Sequence, residues 1–227
     1  MRKVFAILDI ETITDARIAF DVAWILYDGK GNELERHNYL IKEVCDMPYF
    51  KELLHADRFM KDKADFYENG NFTIASLADV QTAFYAATTK YNAQVVMCAY
   101  NARFDYSVLN DNMNTLHGIN FFNDNTEIVD IMTMALSTMC DSNNFVRWCQ
   151  LHDYMTEKGN VKTSAESVYA YISKDAEFVE AHHALKDCEI EAQIFFKARN
   201  YHKKLHTAFA WPVFSCKEWK KVQARKH

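Results

Sequence analysis

The chain has 227 residues, 49% of them hydrophobic and 14% aromatic, with only 5 Gly and 2 Pro. That is enough for one well-filled core, leaves little for long flexible linkers, and excludes a largely disordered chain. A formal net charge of −5 excludes the broad positive field of a nucleic-acid-coating protein, but not an enzyme that holds a short strand end through metal ions and a local patch. Cys45, Cys98, Cys140, Cys149, Cys188 and Cys216 show neither a CxxC pair nor regular spacing, the pattern of free thiols in a reducing compartment. The opening "MRKVFAILDIETIT" puts two basic residues before an apolar run, but Asp9 and Glu11 break that run too early for a signal peptide. No stretch approaches the ~18 apolar residues of a membrane span. The expectation is a soluble, cytoplasmic protein with no membrane partner.

Val4 to Thr12 reads as a strand. "IAFDVAWILYD" (Ile18 to Asp28) is rich in β-formers and ends on the Asp-Gly turn signal "DGKGN", and "ELERHNYLIK" (Glu33 to Lys42) reads as its hairpin partner. From Glu43 to Gly70 the pattern turns helical, with Tyr49, Leu53 and Leu54 spaced for one face. Thr73 with "SLADV" predicts a cap before a helix running to about Tyr91. "AQVVMCAY" (Ala93 to Tyr100) is a continuous apolar run, the mark of a strand covered on both faces. "FDYSVLNDNMNTL" follows as a helix and "EIVDIMTMAL" as a short strand passing into a helix. Further helices are expected near Asn143–Tyr154, Ser164–Ile172 and Val179–Asn200. Three leading strands followed by strand–helix alternation predict a mixed sheet flanked by helices. From Lys217 the composition shifts: Lys217, Lys220, Lys221, Arg225 and Lys226 stand against one Glu. Two readings fit this tail, a solvated helix end or a phosphate-contacting patch with Trp211 or Trp219 as a stacking surface.

Three junctions concentrate acids. Asp9 and Glu11 are two apart on the first strand and so share a face. A hard divalent cation between them removes their repulsion; a position facing solvent at the strand end, or a structural ion pair, fits the same two residues. After the apolar strand comes "NARFDYSVL", with Asn101 and Asp105 at a strand-to-helix junction, where α/β sheets place ligands. A helix cap explains one Asn or Asp there, but less easily Asp105 inside the expected first turn. The third is "EAHHALKDCEIEAQIF", read as helical, in which Asp187 and His182 reach one cleft from different angles; His183 reads as a packing or surface residue.

Asp-x-Glu on strand one, Asn-x-x-x-Asp after a later strand and His-x-x-x-x-Asp near the end together resemble the DEDDh 3′→5′ exonucleases, the DnaQ-like group of the RNase H-like superfamily. The matching segments are "ILDIETIT", "AYNARFDYSVL" and "EAHHALKDCEIE", and Glu157 to Ile172 is similar to stretches of phage-type members. The similarity covers roughly residues 4–198. It departs from the family in carrying Thr12-Ile13-Thr14 where many members have Thr-Gly, and Asp21 where members often carry Glu.

The resemblance implies an α/β, RNase H-like fold with a mixed five-stranded sheet flanked by helices, an exonuclease domain over 1–200 and a basic extension over 201–227. It implies that Asp9, Glu11, Asp105 and Asp187 hold two Mg²⁺ or Mn²⁺ ions and that His182 acts as general base, its ordinary pKa of ~6.5 suiting neutral pH. The expected reaction removes nucleoside 5′-monophosphates from the 3′ ends of single-stranded nucleic acid, DNA favoured over RNA. Thr12, Asn101 and Phe104 are expected near the terminal sugar, phosphate and base, Phe104 being equally readable as a buried helix-start aromatic. Competing expectations are an RNA-trimming exonuclease, a hydrolase of oligonucleotides or other small phosphoesters, and a non-enzymatic nucleic-acid-binding subunit. Partners beyond nucleic acid are a second copy or a separate polymerase or replication protein, and a phage-encoded chain acts in the host cytoplasm.

Overall fold

Strands β1 (Lys3–Ile13), β2 (Ile18–Tyr27) and β3 (Glu33–Ile41) form an antiparallel meander. The computed structural model describes residues 2–13, 17–56, 63–70 and 72–201; the basic stretch from Lys217, with Trp211, Trp219 and Cys216, lies outside them. β2 is buried along nearly its whole length, which is why its sequence is apolar almost throughout. The turn after β2 is built by Asp28, whose carboxylate accepts from the Lys30 and Asn32 backbone N–H groups. Gly31 there takes φ 89°, a conformation glycine adopts without steric cost.

The sheet continues through β4 (Thr73–Ala75), β5 (Gln94–Ala99) and β6 (Glu127–Asp130), in the order β4-β3-β2-β1-β5-β6. It therefore has six strands rather than the expected five. The added edge strand β4 is three residues long and pairs parallel with Tyr39, Leu40 and Ile41. Its Ile74 is 59% exposed, so no burial pattern announces it. Thr73 consequently belongs to a strand, and the cap of α4 (Leu77–Tyr91) is Ser76, whose Oγ accepts from the Asp79 N–H.

Between β3 and β4 the chain forms α1 (Lys42–Cys45), α2 (Phe50–Ala56) and α3 (Ala64–Asn69). The buried face of α2 is Phe50 and Leu54, at i and i+4, whereas Tyr49 is 69% and Leu53 38% exposed. The expected stripe through Tyr49 and Leu53 is thus corrected: only Leu54 of the three is interior. α5 (Arg103–His117) follows β5. After β6 come α6 (Ile131–Ala135), a π-helical turn at Leu136–Cys140, α7 (Asn143–Leu151), α8 (Ala165–Ser173) and α9 (Ala184–Arg199).

The contacts divide the chain into two units. The first comprises the residues up to Met97, Phe104–Glu127 and Ala181–Cys188, and its interior is aromatic: Trp24, Phe20, Phe84, Phe121 and Phe122 are essentially solvent-free. The second comprises Cys98–Arg103, Ile128–Glu180 and the chain from Glu189. There the Tyr100 hydroxyl donates to the Thr163 carbonyl (2.6 Å), and the Tyr100 N–H donates to the buried Glu191 carboxylate (3.1 Å). Among the described residues no helix is long and apolar enough to cross a membrane. Among the described residues Cys45, Cys98, Cys140, Cys149 and Cys188 form no disulfide, and all but Cys45 are buried.

Candidate functional site

All five residues expected at the catalytic centre fall in the first unit. β1 brings Asp9, half-buried, and Glu11, 9% exposed, up through a solvent-free apolar run. Glu11 lies opposite Asp21 of β2, and the register shifts immediately after it, between Glu11 and Thr12. Such a bulge re-aims side chains at a strand end. Asp105 sits buried in the first turn of α5. Asp187 sits buried in the first turn of α9, where its Oδ2 accepts from the backbone N–H of His183 (2.9 Å). His182 is not on a helix: α9 begins at Ala184, and His182 lies in the segment leading into it at φ 47°. The expected helix from Val179 thus starts later, because His183 takes the capping position and its Nδ1 accepts from the Lys186 N–H (3.5 Å).

The fold draws Glu11, His182 and Asp187 together, each offering one ligand atom, all within 4.8 Å of one another. Asp9 and Asp105 are outside that set of three. Of the expected substrate contacts, Thr12 is half-buried beside the register shift. Asn101 is exposed at φ 62° in the turn before α5. Phe104 is 36% exposed, with the Arg17 guanidinium 5.4 Å above its ring; it is not a buried helix-start aromatic.

The electrostatics of the cluster are dominated by burial, with like charge adding to it. Burial, then the neighbouring Asp187 and Asp21 carboxylates, push the Glu11 carboxyl far up, to about 9. Burial raises Asp187 as well, to about 6, against the pull of the His183 N–H. The two carboxyls face each other across a hydrogen bond, so burial and their mutual repulsion favour a proton shared by the pair over two bare charges. The Lys63 ammonium favours the charged form of both. Buried carboxylate oxygens beside an imidazole, deficient in positive charge, form a donor set that fits a hard divalent cation.

In the sequence Asp21 stands out only as a departure from the family pattern, and the structure gives it a larger part. It is fully buried and accepts hydrogen bonds from Asn38 of β3, from the Tyr67 hydroxyl of α3 (3.0 Å) and from the Ala184 N–H at the start of α9 (3.4 Å). Even so, burial raises it to about 6. The signal that could have found it is the one that exposed Asp9 and Glu11, an acid inside an apolar strand. Tyr67 and Lys63 had no such signal, because both lie in the short helical region between β3 and β4.

No family model and no curated protein sequence matches this chain. Solved structures do. E. coli Exonuclease I in complex with a dT13 oligonucleotide superposes over 94% of this chain at 14% identity and a TM-score of 0.54. Cell-death related nuclease 4 (CRN-4) covers 90% at 15% identity and 0.54, and a full-length 3′-exonuclease 91% at 8% and 0.55. The fold is the one these exonucleases share. The chain spans 43%, 66% and 63% of the lengths of these three proteins. The mixed α/β exonuclease fold expected from the resemblance is thereby met, with β4 as its sixth strand.

Proposed function

We propose that the protein is a metal-dependent 3′→5′ exonuclease that removes nucleoside 5′-monophosphates from the 3′ ends of single-stranded nucleic acid, DNA in preference to RNA. The observation that carries this reading is the convergence of Glu11, His182 and Asp187 within 4.8 Å on a fold shared with exonucleases. The DNA preference rests on E. coli Exonuclease I, seen with dT13 and dA16 strands.

Glu11 and Asp187, joined by Asp9 and Asp105, supply the carboxylate oxygens for two Mg²⁺ or Mn²⁺ ions. When bound, such ions neutralise charge on the attacking and leaving oxygens of a phosphodiester. His182 accepts the proton of the attacking water, and its place beside Glu11 and Asp187 keeps the imidazole against the reacting phosphate. Thr12 and Asn101 contact the terminal sugar and phosphate. The Phe104 ring, backed by the Arg17 guanidinium, offers a flat face to the terminal base.

The test is release of mononucleotides from a 5′-labelled single strand, a duplex, an RNA strand and a dinucleotide, with Mg²⁺, with EDTA and with Mg²⁺ restored. Stepwise shortening of the DNA strand from its 3′ end, silenced by EDTA and recovered on adding Mg²⁺, is the expected result. Hydrolysis indifferent to chelation would remove the metal-dependent reading, and strand binding without any cleavage would leave a binding subunit.

A further inference from the structure

α3 carries an aromatic group for which the catalytic reading has no use. Phe66 packs edge-on to the His183 ring at 4.4 Å between centroids and to Phe72 at 5.1 Å. Tyr67 stacks nearly parallel to Phe72 (5.7 Å, 22°) and to His183 (6.1 Å, 11°). The assembly is anchored at its base by the Tyr67 hydroxyl, which donates to the buried Asp21. Its packing is tight: a Cβ on Gly70 would overlap the Phe72 ring and lie 2.6 Å from the Phe66 carbonyl oxygen. Tyr67 is buried, yet Phe66, edge-on to Tyr67, Phe72 and His183, is 45% exposed. A large ring held in place by three aromatic neighbours but left open to solvent has its conformational cost already met before anything binds.

The location of this ring gives it a use. His183, against which Phe66 packs, donates its backbone N–H to the Asp187 carboxylate and is the chain neighbour of His182, so the open ring borders the carboxylate–histidine cluster. A strand whose phosphate lies at that cluster carries a base within one nucleotide's reach of it. We propose that Phe66 is a stacking subsite for an unpaired base of the strand, with Tyr67, Phe72 and His183 as its scaffold. The subsite rests on the nuclease reading and deepens it: a flat face accepts any base, so it recognises single-strandedness rather than sequence. The ligand is a base freed from pairing, and a duplex end must fray before it can be held.

The test compares wild type with Phe66→Ala, Phe66→Leu and Phe66→Trp by steady-state hydrolysis of a 5′-labelled single-stranded DNA. Parallel substrates carry one abasic site at the first, second or third position from the 3′ end. Phe66→Leu keeps apolar packing without the flat ring, which covers the event that the alanine variant folds poorly. Expected are a KM raised by about tenfold for the Ala and Leu variants, the order of one lost base–aromatic stack, an unchanged kcat, and recovery with Trp. One abasic position should cost wild type a similar factor and cost the Ala and Leu variants nothing further. An active wild type whose KM is indifferent to Phe66, or variants that lose kcat instead, would overturn the subsite and leave the nuclease reading standing. A wild type that hydrolyses no strand would overturn both.

Discussion

His182 adopts φ 47°, the left-handed region that glycine enters freely and other residues enter at a cost. The chain holds a strained histidine where a glycine would be easier, which is the behaviour of a residue kept for its side chain. The two contributions separate by substitution. His182→Gly should relieve the backbone and leave the thermal midpoint equal to or above wild type, while turnover falls by about 10²–10⁴-fold, the range of a lost general base. Calorimetry beside single-strand hydrolysis checks this, and a variant with near-wild-type turnover would take the base role from His182. The neighbouring residue shows why the sequence alone misplaced this pair. "AHHAL" continues the apolar spacing of a helix, and only the capping bond from the Lys186 N–H to the His183 ring, together with the left-handed turn before it, ends the helix at Ala184. Asp9 and Glu11, by contrast, were legible from the outset, because two acids inside an apolar strand are a conflict visible in the letters themselves.

Asp21 joins elements distant in sequence. Its carboxylate takes donors from β3, α3 and the first residue of α9, so one buried group aligns the aromatic helix and the helix that carries Asp187. An amide there keeps one acceptor oxygen and turns an N–H₂ toward groups that are themselves donors. Asp21→Asn should therefore destabilise the fold by about 1–3 kcal/mol, the cost of buried polar groups left without partners. The loss should be accompanied by faster amide exchange in α3 and at the start of α9. Urea denaturation and hydrogen exchange check this; unchanged protection at Ala184 would separate α9 from Asp21. At this scale the long elements were legible from period and caps, whereas β4 was not. Its pairing with Tyr39–Ile41 is made by residues more than thirty positions away, and three residues hold too little pattern to show it. α2 was legible as a helix but not in its face, since Tyr49 and Phe50 are both aromatic and only packing against Phe20 (5.7 Å) chooses Phe50.

For the molecule as a whole, the buried acids set the dependence of stability on pH. Glu11, raised from 4.5 to about 9, and Asp21 and Asp187, raised from 3.8 to about 6, bind protons more tightly folded than unfolded. Their contribution is complete below the unfolded values and is lost as pH rises through the folded ones. Without divalent cations the thermal midpoint should therefore fall from pH 5 to pH 9, and Mg²⁺ should restore most at the alkaline end, where the carboxylates are charged. Thermal scans across that range with EDTA and with Mg²⁺ check both slopes; a midpoint that climbs toward pH 9 in EDTA would show that the cluster is not protonated in the folded state. The hydrogen bond between Glu11 and Asp187 has one further consequence. Under the metal-dependent reading, a proton favoured there by burial competes with a divalent ion for the same carboxylate oxygens. Acid should then act as a competitive inhibitor of that ion's binding, reversed by raising the metal concentration.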